Sequence, residues 1–130
     1  MAITKERKDE LIAHYGEWAS QSKALIVAQY KGLTMKDMDA LRAKLRDLGS
    51  EFHIVKNTLA ALALENAGMS LPQEYFEGST AICFAFKDAA ATAKAMTEAA
   101  KGSEFVRIKG GILDRRLVTA DGVKALADLP

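Results

Sequence analysis

The chain has 130 residues, 49% of them apolar and 27% charged, with 18 Lys/Arg against 17 Asp/Glu and a net charge of +1. That is enough for one folded domain with a real core, and no apolar run approaches the ~20 residues of a membrane span. Near-neutrality speaks against the strongly basic make-up common among nucleic-acid binders. Between Lys23 and Asn57, however, seven Lys/Arg stand against four Asp/Glu, and a binding face needs only local charge of one sign.

The amino terminus, Met1 to Glu10, lacks a signal-peptide core and is too acidic for a transit peptide, which points to the cytosol. A first helix is predicted from Thr4 as N-cap, with Leu11, Ile12, Tyr15, Trp18 and Ala19 on its apolar face. Ala24 to Ala28 reads as a strand covered on both faces. Lys31-Gly32-Leu33 is a turn, and Thr34 with Asp37 opens a second helix whose stripe is Met38, Leu41, Leu45 and Leu48, stopped by Gly49.

Glu51 to Lys56 is the second strand, with Phe52, Ile54 and Lys56 on one face and His53 and Val55 on the other. Asn57 or Thr58 is predicted to cap a third helix running to Gly68. Leu71-Pro72 and Glu77-Gly78 are turn signals before a strand over Thr80 to Phe86. Asp88 caps an alanine-rich helix that ends near Lys101-Gly102. Phe105 to Lys109 is a fourth strand leading into Gly110-Gly111; Ile112-Leu113 and Leu117-Val118 extend it or pair with it around Asp114-Arg115-Arg116. Thr119 caps a last short helix.

Gly49-Ser50-Glu51-Phe52 recurs as Gly102-Ser103-Glu104-Phe105, each after a helix and before a strand ending in Lys. Two strand–helix–strand units in series predict one α+β domain over residues 1–130. The expected form is a ferredoxin-like sandwich, with helices on a mixed or antiparallel sheet of about four or five strands. A three-layer, doubly wound parallel sheet is the alternative.

The chemistry-bearing residues favour binding over catalysis. Arg42 and Arg46, four apart, share one helix side, displaced from the leucine stripe. They suit phosphate oxygens, or form a solvated flank paired with Asp39 or Asp47. Lys56-Asn57 sits where a strand enters a helix, a natural seat for an anion, although Asn is also an ordinary N-cap. Gly32, and Gly110-Gly111 beside Lys109, either serve tight turns or admit a sugar–phosphate chain. His14 and His53 stand far apart with no partner set for a metal, and no nucleotide-loop or hydrolase motif occurs, so neither cofactor nor metal is expected. The lone Cys83 lies in the apolar run Ala81 to Phe86 and reads as an inert buried thiol. Tyr15 and Trp18 read as core. Two rivals to a nucleic-acid binder stay open: a small enzyme using His53 with Lys56, and a protein-interaction module on the second helix.

Tyr30-Lys31-Gly32-Leu33-Thr34, Leu41-Arg42-x-x-Leu45-Arg46, Val55-Lys56-Asn57-Thr58-Leu59, Glu77-Gly78-x-Thr80-Ala81, Lys109-Gly110-Gly111 and the closing Leu126-Ala127-x-Leu129-Pro130 fall in one order. That order resembles the bacterial large-subunit ribosomal protein ten family, found at the base of the ribosomal stalk, over essentially the whole chain. The resemblance implies a non-enzymatic, cytoplasmic ribosomal domain. Its partner would be the GTPase-associated region of large-subunit (23S-type) rRNA, beside ribosomal protein eleven. Phosphate contacts would come from Lys31, Arg42, Arg46, Lys56 and Lys109, close backbone approach at Gly32, Gly110 and Gly111, and a corner or base-edge contact at Asn57. The family continues into a C-terminal helix that carries the stalk dimers (proteins seven/twelve). The sequence stops before it, so no binding of those dimers is expected. One departure is Ala60, Ala61 and Ala63, where many relatives have arginines in the third helix.

Overall fold

A computed structural model describes residues 4–31, 34–102 and 106–128. The turn at Gly32-Leu33, the second copy of the short repeat at 103–105 and the closing Leu129-Pro130 lie outside the described residues. The elements in chain order are α1 (Lys5–Gln21), β1 (Ala24–Tyr30), α2 (Met35–Asp47), β2 (Ser50–Val55), α3 (Asn57–Asn66), β3 (Thr80–Ala85), α4 (Ala89–Gly102), β4 (Val106–Leu113), β5 (Arg116–Thr119) and α5 (Ala120–Ala127). A single 3₁₀ turn over Gln73–Phe76 was not legible in the sequence.

Helix starts follow local chemistry. The side chains of Thr4, Thr34, Asp88 and Thr119 accept the N–H of Arg7, Asp37, Ala91 and Gly122 at 3.1, 3.1, 3.0 and 3.2 Å. Each such cap stabilises its helix by about 1 kcal/mol. Gly49, at φ +75°, turns the chain out of α2 in the left-handed region that a side chain resists.

The sheet order is β2-β3-β1-β4-β5 and every neighbouring pair is antiparallel. Thus α2 links β1 to β2 across β3, and α4 links β3 to β4 across β1. These are the two interleaved strand–helix–strand units of a ferredoxin-like core, with β5 added at one edge. The doubly wound parallel alternative is not formed, although its layering is. Leu25, Val27, Ile82, Phe84 and Val55 pack under α1 and α3. Ile26, Ala28, Ala81, Cys83 and Phe52 pack under α2, α4 and α5. Central strands covered on both faces must be apolar throughout, whatever their direction, which is why β1 and β3 are continuous apolar runs.

Strand β4 changes face part-way along. Val27 is paired with Gly110 but the next residue, Ala28, with Ile108, so Lys109 is an extra, unpaired residue. A one-residue bulge inverts every later side chain. Val106 and Ile108 accordingly enter the α4–α5 layer, whereas Ile112 enters the α1–α3 layer. Beyond it, Asp114 and Arg115 both take positive φ (51° and 63°) in the two-residue turn to β5, the hairpin geometry that matches strand twist.

One buried polar pair joins β2 to α4. Ser50 Oγ and Thr92 Oγ1 are 2.6 Å apart, and Thr92 Oγ1 donates to the Asp88 carbonyl at 2.8 Å. The Thr92 proton is thereby used, so Ser50 is the donor between the two hydroxyls. Thr92→Val leaves the buried Ser50 hydroxyl without its acceptor and is expected to cost about 1–3 kcal/mol, against about 1 for Ser50→Ala. Urea denaturation of the two variants checks that order.

Candidate nucleic-acid interface

Lys56 and Asn57 form the corner between β2 and α3. Lys56, not Asn57 or Thr58, occupies the cap position, and it makes no side-chain cap hydrogen bond. Asn57 is the first helical residue; its Nδ2 donates to the Gly78 carbonyl at 2.8 Å, tying α3 to the turn before β3. The capping expectation is thus corrected: a partner 21 residues away has taken the amide. The first turn of α3 keeps its N–H groups without a side-chain acceptor, beside an exposed Lys56. Lys31, also exposed, leaves the same end of the sheet, because Gln29 and Val55 are both paired with Thr80. With β3 between them, the two strand ends stand roughly 10 Å apart.

Arg42 and Arg46 line one groove of 320 Å³ with Ser50, Glu51, Phe52 and His53. Because β2 is an edge strand, the α2 flank lies open beside it. The expected pairing of these arginines with Asp39 or Asp47 is not made: among the described residues, no carboxylate lies within 4.0 Å of either guanidinium. Their neighbour Lys44, by contrast, bonds Glu98 of α4 at 3.3 Å. Among the described residues, Glu51 is the one acidic residue lining the groove. From His53 the strand runs three residues to Lys56, about 10 Å, so the cations of α2 and of the β2–α3 corner follow one edge of the sheet.

His53 belongs to packing. Its ring stacks on Trp18 with centroids 3.9 Å apart and planes 4° apart, and His14 stacks on the same indole at 5.7 Å. Glu51 Oε1 comes within 3.4 Å of Nε2, but without hydrogen-bond alignment, leaving that nitrogen buried and unbonded. Burial holds the His53 pKa below its ordinary value of 6.5, against the opposing pull of Glu51 and with a smaller push from Arg42. The folded state therefore resists protonation: this contribution to stability is full above pH 6.5 and falls away as the pH drops below it. His53→Phe is expected to flatten that limb of a stability-against-pH curve measured by urea denaturation. The enzyme alternative loses its geometry, since Lys56 is three residues away and lies on the opposite strand face. Cys83 is fully buried and its thiol is pushed up to about 12 by desolvation.

Lys109, Gly110 and Gly111 lie elsewhere. Both glycines are buried, and a Cβ on either would strike the protein itself: at Gly110, Tyr75 Oη and the Val118 carbonyl, each at 2.6 Å; at Gly111, the Leu25 carbonyl. Their lack of side chains therefore serves packing within the chain. Lys109 sits on a separate 400 Å³ groove between α4, β4 and α5, with Lys101, Arg107 and Lys124. Sequence reasoning missed those three, because no local pattern joins residues from three elements. The alanines of α3 are also accounted for. Ala60 and Ala63 are almost fully buried against α1, and only Ala61 reaches the surface.

A domain whose histidines stack on Trp18 and whose Arg42 and Arg46 stand without a carboxylate partner among the described residues, beside an edge strand, is equipped to hold a partner. Comparison with known proteins makes the class specific. The ribosomal protein L10 family profile matches residues 3–101. Proteins described as large ribosomal subunit protein uL10 are similar over nearly the whole chain. The Carboxydothermus hydrogenoformans protein is 42% identical over 96% of this chain and 71% of its own length. That of Bacillus cereus is 38% identical over all of this chain and 78% of its own. The Thermoanaerobacter pseudethanolicus protein is 36% identical, covering all of this chain and 74% of its own. The chain belongs to the ribosomal protein L10 family, whose members are structural components of the large ribosomal subunit and not enzymes.

Proposed function

We propose that the domain anchors itself on large-subunit rRNA, at the stalk-base GTPase-associated region, through the β2 edge of its sheet. The observation that carries this reading is the Arg42–Arg46 couple, without a carboxylate partner among the described residues, in a groove beside the strand that leads to Lys56 and the uncapped start of α3. Arg forks grip phosphate oxygens in bidentate fashion, and the α3 terminus adds N–H donors and positive potential. Lys31 extends the track at the same strand end, and Gly32, next in sequence, would allow a close backbone approach there. Asn57 acts indirectly, by locking the corner that presents Lys56. Gly110 and Gly111 do not meet RNA in this scheme; they set the course of β4 behind Lys109.

Folded RNA is recognised largely through shape, phosphate and 2′-hydroxyl contacts, which suits a surface of cations and helix ends without an aromatic platform. The neighbouring ribosomal protein eleven would share this RNA region. The stalk dimers would engage the family's C-terminal helix and not the surface described above. The relatives' membership in the large ribosomal subunit supports a cytoplasmic, ribosome-bound location.

The test is a salt-dependent titration with the stalk-base rRNA fragment, with and without protein eleven. If about four phosphates are neutralised, log affinity against log salt falls with a slope of roughly −3 to −4. A slope near zero would overturn the reading.

A further inference from the structure

We infer that RNA binding in the Arg42–Arg46 groove is coupled to uptake of a proton by His53, so that the β2 edge holds RNA more tightly as the pH falls. This coupling rests on the proposed RNA-binding function and assigns a further charge to that site. His53 lines the groove together with both arginines. By the alternation of β2, its ring and the Glu51 carboxylate leave the strand on the α1–α3 side, while the arginines reach the groove from α2. Because β2 is an edge strand, no further strand stands outside them to screen one set from the other.

Few charged groups bear on the ring. Glu51 faces it from its own strand, with Oε1 3.4 Å from Nε2, and Arg42 acts on it from α2. From α1 comes the Trp18 indole, on which His14 also stacks, and from β3 the ring of Phe84 at 5.8 Å. The His53 side chain is 28% exposed, so it exchanges protons with solvent although Nε2 itself is covered.

Without RNA the ring is held away from its charged form. Burial disfavours the imidazolium and Arg42 repels it, and together they outweigh the attraction of Glu51. A phosphate seated on Arg42 cancels that repulsion and brings negative charge of its own. Burial then stands against Glu51 and phosphate together, and the His53 pKa rises. A group whose pKa rises on binding takes up a proton from the buffer, and the proton in turn strengthens binding by the same factor. Once charged, His53 also offsets Glu51, the one carboxylate lining the groove among the described residues. Affinity is therefore lowest above the bound-state pKa. It rises as the pH falls toward the free-state value, which lies below 6.5, and levels off beneath it.

The test measures affinity for the stalk-base rRNA fragment at constant ionic strength from about pH 7.5 to about pH 5.5, with an NMR titration of the His53 ring in free and RNA-bound protein. Acidification is expected to tighten binding at least about threefold, the size of effect that unit charges several ångströms apart have near a protein surface. The His53 midpoint should be higher in the complex than in the free protein. His53→Phe keeps a ring against Trp18 but cannot titrate, and should lose most of the rise; His14→Gln should keep it. Equal midpoints in free and bound protein, a rise that survives His53→Phe, or a rise lost with His14→Gln instead, each overturns the coupling. Salt-dependent binding that ignores pH overturns it too and leaves the β2-edge function standing. Absence of salt-dependent binding at every pH overturns both.

Discussion

Gly111→Ala is expected to destabilise the domain by at least about 3 kcal/mol, as overpacking against immobile atoms does. The new methyl would be driven into the Leu25 carbonyl, 2.9 Å from its carbon and 3.1 Å from Ile26 Cα. All three atoms are backbone of the central strand, so no rotamer change relieves the clash; β1 and β4 must move apart. Gly68→Ala is the matched comparison. It has nothing within 4 Å, and its only penalty is the positive φ of +78°, about 1 kcal/mol. Urea midpoints of the two variants should therefore differ widely, and equal midpoints would refute the close β1–β4 approach.

Arg42→Gln with Arg46→Gln should weaken binding to the stalk-base rRNA roughly 100-fold, taking about 1.5 kcal/mol for each charge-assisted hydrogen bond lost. The slope of log affinity against log salt should become shallower by about 1.5. Stability should hardly change, because neither guanidinium pairs with a carboxylate among the described residues. A melting curve alongside the titration separates lost contacts from lost folding. Unchanged affinity would refute these two assignments, whatever the melting curve shows.

What the sequence made legible was local in its physics. The caps at Thr4, Thr34, Asp88 and Thr119 each act on an N–H three residues on, so a short window contains the whole interaction. The α2 stripe likewise follows from helical period alone, with Met38 and Leu45 buried as read. The strand–helix–strand alternation pointed to the ferredoxin-like core, because interleaving two such units leaves few other arrangements.

The failures involve distance. Asn57 looked like a cap until its amide found Gly78 across a fold contact. At Gly110-Gly111 the sequence left a structural reading and an RNA-approach reading open, and only the fold shows β1 and Tyr75 in the space above them. For the candidate site, Arg42, Arg46, Lys56 and Lys31 form a consistent edge because they lie within one unit of chain. Lys101, Arg107 and Lys124 meet Lys109 only after α4, β4 and α5 have closed on one another. Local charge counts saw the first cluster and could not see the second.

The extra residue in β4 bears on which changes of chain length this family member can survive. Replacing Lys109 alters one side chain. Removing it would restore an unbroken ladder with β1 in which Ile108 still faces Ala28 and Ile112 still faces Leu25, so Ile112 keeps its helical layer. The one codon this segment can lose without shifting a pair is thus that of Lys109, while the loss of any paired residue slides part of β4 against β1.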